Sequence, residues 1–308
     1  MKAQIFDITH TTTYNYGSPV TVAHHLLRLA PRRLRRQLRL AHELDLKPEP
    51  ASLSRHTDYF GNEVAFAIFE GAHRQMRVTA RSRVAVGAAF IPDATETPAW
   101  ESVRNLCRTD LSTPVLEAGE FAFGSPLVLL DAPFNDYARE SFPPGRRILD
   151  AVLDLTARIH QDFKFDPTAT TVATPLAQVL EQRRGVCQDF AHLQIACLRS
   201  LGLAARYVSG YLETAPPPGQ TKLVGADASH AWVSFFCPGL GWIDADPTNN
   251  LLPSMQHITL GWGRDYSDVS PIRGVLGGGD EHTFSVAVDV VARGESDDEA
   301  QVKAARVT

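Results

Sequence analysis

Arg184-Gly185-Val186-Cys187-Gln188-Asp189-Phe190-Ala191-His192 places a thiol where a helix begins. Downstream come Ser229-His230-Ala231-Trp232-Val233 and Gly241-Trp242-Ile243-Asp244-Ala245-Asp246-Pro247-Thr248. A thiol, an imidazole and a carboxylate therefore follow one another along the chain as Cys187, His230 and Asp246. These are the three groups that thiolate-based acyl transfer uses.

The local patterns around them have physical meaning. A helix start carries about half a positive charge, which favours a thiolate over a thiol. The backbone N–H of Cys187 points out of that start and is a candidate oxyanion donor. His230 opens a strand, and Asp246 ends the next one after the tight Pro238-Gly239-Leu240-Gly241 connection. Adjacent antiparallel strands bring such a pair side by side, so that the carboxylate holds the imidazole in one tautomer. Asp244 and Asp246 project the same way from their strand. Asp246 is preferred because it stands at the strand end, before Pro247. Gln188 and Asp189 in the first helical turn are read either as accessory groups or as caps. Trp232 is read as a shield for the His230–carboxylate pair, or as plain core. His192 lies on another face of the helix and is assigned either to packing or to support of the site residues. Cys107, Cys197 and Cys237 are assigned to structure.

Outward from this region the chain changes period. Up to residue 90, Phe6, Ile8, Thr12, Tyr14 and Tyr16 share one strand face, and Val64, Phe66 and Ile68 alternate in the same way. Asp58-Tyr59-Phe60-Gly61-Asn62 supplies a turn. These patterns predict a β-rich domain over residues 1–90. Residues 91–145 are broken by Pro92, Pro98, Pro114, Pro126, Pro133, Pro143 and Pro144, which predicts a connecting segment with short helices. Helical period appears from Gly145, with Ile148, Val152, Leu155 and Ile159 on one stripe. A second helix is predicted with Thr174 as N-cap, Pro175 at its first position and Gly185 after its end. The helix from Cys187 to Leu201 is apolar around most of its circumference, so it is predicted to be central and buried. Strands follow over 205–212, 230–236 and 241–245, and Phe284, Val286, Val288 and Val290 alternate near the end. The catalytic core is assigned to 146–293 and a flexible tail to 294–308.

Composition excludes several classes. A net charge of −5 gives no overall basic field for nucleic acid or anionic lipid. The arginine run Arg32, Arg33, Arg35, Arg36 and Arg39 is read as a solvated face rather than an anion-binding patch. No apolar run reaches the roughly 18 residues of a membrane span, and the N-terminus has no apolar signal region. The 4 cysteines are too few for a disulfide scaffold and lack zinc-site spacing, so free thiols in a reducing cytoplasm are expected.

Several blocks together resemble the transglutaminase-like core, in its bacterial transglutaminase-like cysteine peptidase branch. They are Gly185 to His192, the run Leu201-Gly202-Leu203-Ala204-Ala205-Arg206-Tyr207-Val208-Ser209-Gly210-Tyr211, then His230-Ala231-Trp232, Gly241-Trp242 and Asp246-Pro247-Thr248-Asn249. The N-terminal half looks like the β-domain that precedes this core, through His10-Thr11-Thr12, Tyr14-Asn15-Tyr16, Leu27-Arg28-Leu29 and Asp58 to Asn62. Gly263-Arg264-Asp265-Tyr266-Ser267-Asp268-Val269 looks like a further segment of the branch, and Arg264, Asp265 and Tyr266 are candidates to line the cleft. The resemblance implies an α+β fold: an N-terminal antiparallel β-sandwich-like domain, then a papain-like core whose nucleophile sits at a helix N-terminus packed on an antiparallel sheet. It implies a papain-like triad with Cys187 as nucleophile, His230 as base and Asp246 as orienting carboxylate. Two departures stand out. Ser234 replaces an acid common after the His-Ala-Trp block, and Asp244-Ala245 replaces a small and an aromatic residue.

The expected function is cysteine-dependent hydrolysis of a peptide, isopeptide or other amide bond through an acyl-enzyme. The expected partner is a peptide or protein substrate, with no cofactor, metal, nucleic acid or membrane. The alternatives are transglutaminase-type acyl transfer to an amine, acyl transfer from a thioester as in arylamine acetyltransferases, and a non-catalytic binding module on the same fold.

Overall fold

The structure, a computed structural model, describes residues 3–213 and 229–293. The tail assigned to 294–308 lies outside these residues. The chain begins with strands β1 (Ala3–Leu27), β2 (Gln37–Lys47), β3 (Ser52–Thr57) and β4 (Glu63–Gly87). Short helices α1 (Trp100–Thr109), α2 (Thr113–Gly119) and α3 (Ala132–Arg139) lead to the longer α4 (Ile148–Asp162). Then come β5 (Lys164–Phe165), α5 (Leu176–Gln182), β6 (Arg184–Gly185), α6 (Cys187–Ser200), β7 (Ala205–Leu212), β8 (Ser229–Cys237), β9 (Gly241–Ala245) and β10 (His257–Gly263). Helix α7 (Tyr266–Val269) and strands β11 (Ile272–Gly278) and β12 (His282–Ala292) complete the described chain.

The first sheet is antiparallel and six-stranded, built on two long strands, β1 and β4, that pair along most of their length. Along β1 the alternation of Phe6, Ile8, His10 and Thr12 is also an alternation of burial. The register slips between Asn15 and Val20, and at that point the outer partners change. The first part of β1 pairs with β12 and the second with β11, while β4 takes β2 on one part and β3 on the other. One apolar cluster joins Tyr16, Val20 and Leu27 from β1 with Phe69, Met76 and Val78 from β4.

The boundary drawn at residue 293 does not match this topology. β11 and β12 leave the core and pair with β1, the first strand of the chain. The predicted start and end of α5 also shift. Pro175 is the residue before the helix, and Arg183 closes it in the left-handed region at φ 55°.

The core consists of α4, α5 and α6 with α3 and the sheet β10-β7-β8-β9. Helix α6 is buried from Asp189 to Arg199 and packs against Ala231, Val233 and Phe235 of β8. Arg199, 2 % exposed, donates twice to the Ala205 carbonyl, once to Ser125 Oγ and once to the Arg264 carbonyl, which ties α6 to β7. Among the described residues no helix is long and apolar enough to cross a membrane.

The arginine run is a solvated face only in part: Arg33 and Arg35 are exposed, and the other three are engaged. Arg32 stacks 3.4 Å from the Trp262 ring centroid and donates to Asn62 Oδ1, Arg36 pairs with Asp244 at 3.2 Å, and Arg39 pairs with Glu63 at 2.7 Å. The run bridges the two sheets, because partners from the distant β9 and β10 reach it. Two side-chain amides complete the junction by bonding the backbone of β10. Gln37 donates to the Thr259 carbonyl at 2.7 Å and accepts from the Thr259 N–H at 2.8 Å. Asn62 donates to the Trp262 carbonyl at 2.8 Å and accepts from its N–H at 3.0 Å. These amides satisfy backbone groups that a strand at a sheet edge otherwise leaves bare.

Gln37→Ala strips both partners from Thr259 inside the protein, so unfolding free energy falls by about 2–4 kcal/mol. Urea titration reads this, with the surface variant Asp45→Ala staying within about 0.5 kcal/mol of wild type.

Candidate active site

Local chemistry fixes the start of α6. The Asp189 carboxylate accepts from the Val186 N–H at 2.8 Å and from the Thr170 hydroxyl at 2.6 Å. It folds back over Gly185, where an added Cβ would meet Asp189 Oδ2 at 2.6 Å. Gly185 is thus required by close approach, and Asp189 is a cap that sets the first turn. Burial raises the Asp189 carboxyl, and the bonds from Thr170 and Val186 oppose that rise. Cys187 is the first residue of the helix, half-buried against the apolar core. Gln188 beside it is half-buried with no side-chain hydrogen bond among the described residues, which leaves its amide free at the same helix start.

His230 and Asp246 meet where the sequence places them. β8 and β9 are antiparallel, with Val233 opposite Ala245, so the start of β8 lies beside the residue that follows β9. His230 Nε2 lies 2.7 Å from Asp246 Oδ2. This leaves Nδ1 as the ring nitrogen for the thiol of Cys187. Burial alone lowers His230. The hydrogen bonds to Asp246 and Cys187, with the charges of those two groups, overcome it and lift the imidazole to about 10. Both neighbours thus favour the charged form of the ring.

Asp246 is fully buried and carries the largest set of hydrogen bonds in the site. Oδ1 accepts from the N–H groups of Thr248 and Asn249 at 2.9 and 3.2 Å. Oδ2 takes His230, the Asn249 amide at 2.7 Å and His257 Nε2 at 3.1 Å. Burial works to raise this carboxyl, but the bonds from His230, His257 and Asn249 hold it well below the usual carboxylate range.

His257 and Asn249 are the site residues that sequence reasoning missed. Asn249 stands in the quoted Asp246-Pro247-Thr248-Asn249 block, so the tight turn after Asp246 was its available signal. His257 has no local signal, because it reaches Asp246 only once β10 pairs with β7. Trp232, fully buried, lies against both rings, 6.0 Å from His230 and edge-on at 5.2 Å from His257. It packs over Gly210, where an added Cβ would lie 2.4 Å from the indole.

Other candidates fall elsewhere. Asp244 turns to Arg36 and has no bond to His230, so the choice between the two aspartates resolves to Asp246 on geometry. Its neighbour Ser234 is buried with Oγ unpartnered. His192 accepts from the Tyr266 N–H at 3.1 Å, and burial lowers it to about 4. Arg264 pairs with Asp268, and buried Asp265 accepts from the Leu127 and Ser267 N–H groups. All four cysteines are free. Burial raises the thiols of Cys107, Cys197 and Cys237, the last to about 11. His230, Asp246 and His257 bring one ligand atom each within 4.8 Å, a spacing that a metal accepts. Both imidazoles, however, spend Nε2 on the same carboxylate oxygen, so their own hydrogen bonds account for the grouping.

Comparison with known proteins covers both halves of this architecture. Residues 6–85 match the model of the bacterial transglutaminase-like N-terminal region, and residues 136–247 match that of the transglutaminase-like superfamily. The chain belongs to the transglutaminase-like superfamily. An uncharacterized protein of Mycobacterium tuberculosis (strain H37Rv) is 40 % identical over 295 residues, covering 93 % of this chain and 92 % of the relative. An uncharacterized protein of Mycobacterium leprae is 31 % identical over 286 residues, covering 92 % and 97 %. A protein-glutamine gamma-glutamyltransferase of Pseudomonas aeruginosa is 33 % identical over 107 residues, which is 32 % of this chain and 16 % of that protein. Among solved structures, one from Cytophaga hutchinsonii described as a candidate cysteine protease superposes with a TM-score of 0.76 at 20 % identity, over 96 % of this chain and 93 % of that one. The two share the fold from the first sheet through the transglutaminase-like core.

Two outcomes follow from the geometry. Iodoacetamide at neutral pH labels Cys187 ahead of Cys107, Cys197 and Cys237, as read by peptide mass mapping, because burial keeps those three protonated. His257→Leu leaves KM near wild type and lowers kcat about tenfold or more, while His257→Gln, which keeps a donor toward Asp246, recovers most of it.

Proposed function

We propose that the protein is a cysteine-dependent amide hydrolase acting on a peptide or isopeptide bond. The Cys187 thiolate attacks the carbonyl carbon, and the C–N bond breaks as the His230 imidazolium gives its proton to the leaving amine. The resulting thioester is attacked by water. His230 takes the water's proton, the C–S bond breaks, and the carboxylic acid and thiolate are regenerated. Asp246 holds the ring so that Nδ1 meets sulfur, and stabilises its positive charge. The Cys187 N–H at the start of α6 serves the oxyanion.

The observation that carries this reading is the arrangement of the three groups: His230 Nε2 lies 2.7 Å from the buried Asp246 carboxylate, and Cys187 stands at the start of α6. His230 is lifted to about 10 between a buried carboxylate and a thiol, and a structural histidine at the same depth, His192, is pushed the other way. The fold shared with the Cytophaga protein supports the protease side. The local match to the Pseudomonas glutamyltransferase favours a second acceptor, since a primary amine attacking the same thioester gives transamidation.

Cys187→Ala abolishes turnover of a peptide or isopeptide library while the far-UV spectrum and unfolding midpoint stay unchanged. Loss of folding in that variant overturns the nucleophile assignment. A fluorescent primary amine added to the assay separates the acceptors: release of free acid marks hydrolysis, and incorporation of the amine marks transfer. The pH profile carries the sign of the His230 shift. As pH rises through about 10, the proton needed by the leaving amine is lost and kcat/KM falls. Asp246→Asn removes the carboxylate that holds this proton, so the basic limb moves to lower pH and kcat drops on the order of 10³-fold.

A further inference from the structure

A cavity of about 580 Å³ opens between the two sheets on the far side of β9 and β10 from α6. Its walls are mostly apolar, with Leu38, Ala85, Leu252 and Pro253 inside and Phe90 and Ile91 at the rim. Phe90 is 77 % exposed and Ile91 52 %, an apolar lip with nothing packed on it among the described residues. Arg206 lies within this lining and is 8 % exposed.

Arg206 and Arg199 are the two buried arginines among the described residues, and they are held differently. Arg199 fills its donors with two carbonyls and a hydroxyl, and Arg32 reaches the Asn62 carbonyl oxygen. Arg206 has no hydrogen bond and no ion pair among the described residues, and its Nε is a buried donor without a partner. The guanidinium is held only by rings, 3.7 Å from the Trp262 centroid and 4.1 Å from that of Trp242. Burial pulls it down to about 9, Asp244 opposes that, and Arg32 adds to it. Asp244 is engaged by Arg36 instead, at 3.2 Å. Ser234, opposite Arg206 on β8, adds a second orphan, its Oγ. A buried cation without a hydrogen-bonded anion is costly, and a guanidinium fork held flat between two indoles is already oriented for a planar anion.

We propose that this cavity binds a small organic carboxylate with an apolar body, its carboxylate on Arg206 and its body along Leu38, Phe90 and Ile91. The charge selects the head group. The volume falls within the usual range of about 300–1,000 Å³ for small-molecule sites. The apolar lip selects a hydrocarbon tail over a free inorganic anion. The site is separate from Cys187, so its occupancy is independent of whether the thiol is catalytic. Asp244, in the cavity lining, stands two residues before Asp246 on the same strand path, which places the ligand behind the triad carboxylate rather than in the reacting cleft.

Isothermal titration of the full chain with octanoate, and with octan-1-ol as the uncharged comparison, tests this. Octanoate binds saturably at one site with Kd of about 1 mM or tighter, octan-1-ol binds about tenfold or more weakly, and the fluorescence of Trp242 and Trp262 shifts with the same midpoint. Arg206→Met removes the charge at similar volume and weakens octanoate about tenfold or more, with little change for octan-1-ol. Should that variant not fold, Ala89→Trp fills the cavity from its half-exposed rim and abolishes octanoate binding instead. Equal affinity for octanoate and octan-1-ol, unchanged binding in either variant, or no saturable binding of octanoate overturns the proposal.

Discussion

The buried carboxylate of Asp246 sets the terms for the rest of the core. It has no exposure, and an unpaired charge at that depth is unaffordable, so the fold must deliver donors to it from every side. The turn after β9 gives two backbone N–H groups and the Asn249 amide, β8 gives His230, and β10 gives His257. Three adjacent segments are thereby locked in register by one functional group. The result is an imidazole held in one orientation, with its second nitrogen left for the thiol at the start of α6.

β10 depends in turn on the first sheet. Its backbone at Thr259 is bonded by Gln37 and at Trp262 by Asn62, and Arg32 covers the Trp262 ring. Gly261 lies so close to Asn62 that an added Cβ would meet Oδ1 at 2.6 Å. His257 stands two residues before Thr259, so the N-terminal sheet reaches Asp246 through β10. This gives a physical reason for the two halves to occur in one chain: the first sheet fixes the strand that carries one of the donors to the buried carboxylate. The return of β11 and β12 to pair with β1 closes the same loop covalently and by hydrogen bonds.

How much of this was legible in the sequence divides along a physical line. Features set by neighbours in sequence could be read: the burial of α6 from its apolar circumference, the Asp58 to Asn62 turn, the alternation of β1, and the meeting of His230 and Asp246 across one tight connection. Features set by distant pairing could not. A period of two marks Phe284 to Val290 as a strand without naming its partner, so the last strands were assigned to the core although they join the first sheet. The arginine run was read by its charge, and the indole and carboxylate that neutralise its exposure come from β9 and β10. His257 is invisible for the same reason.

Arginine placement shows the same principle from the other side. Where the fold needs a buried guanidinium for architecture, it surrounds that group with acceptors, as Arg199 is surrounded between α6, β7 and the Arg264 carbonyl. Where two indoles hold the group flat and no acceptor is supplied, packing explains its position but not its charge. A methionine would fill the same space without the desolvation penalty. With Asp244 bonded to Arg36, the proposed carboxylate would give Arg206 the acceptor it lacks, just as the charge at Asp246 is met by the donors that the chain itself supplies.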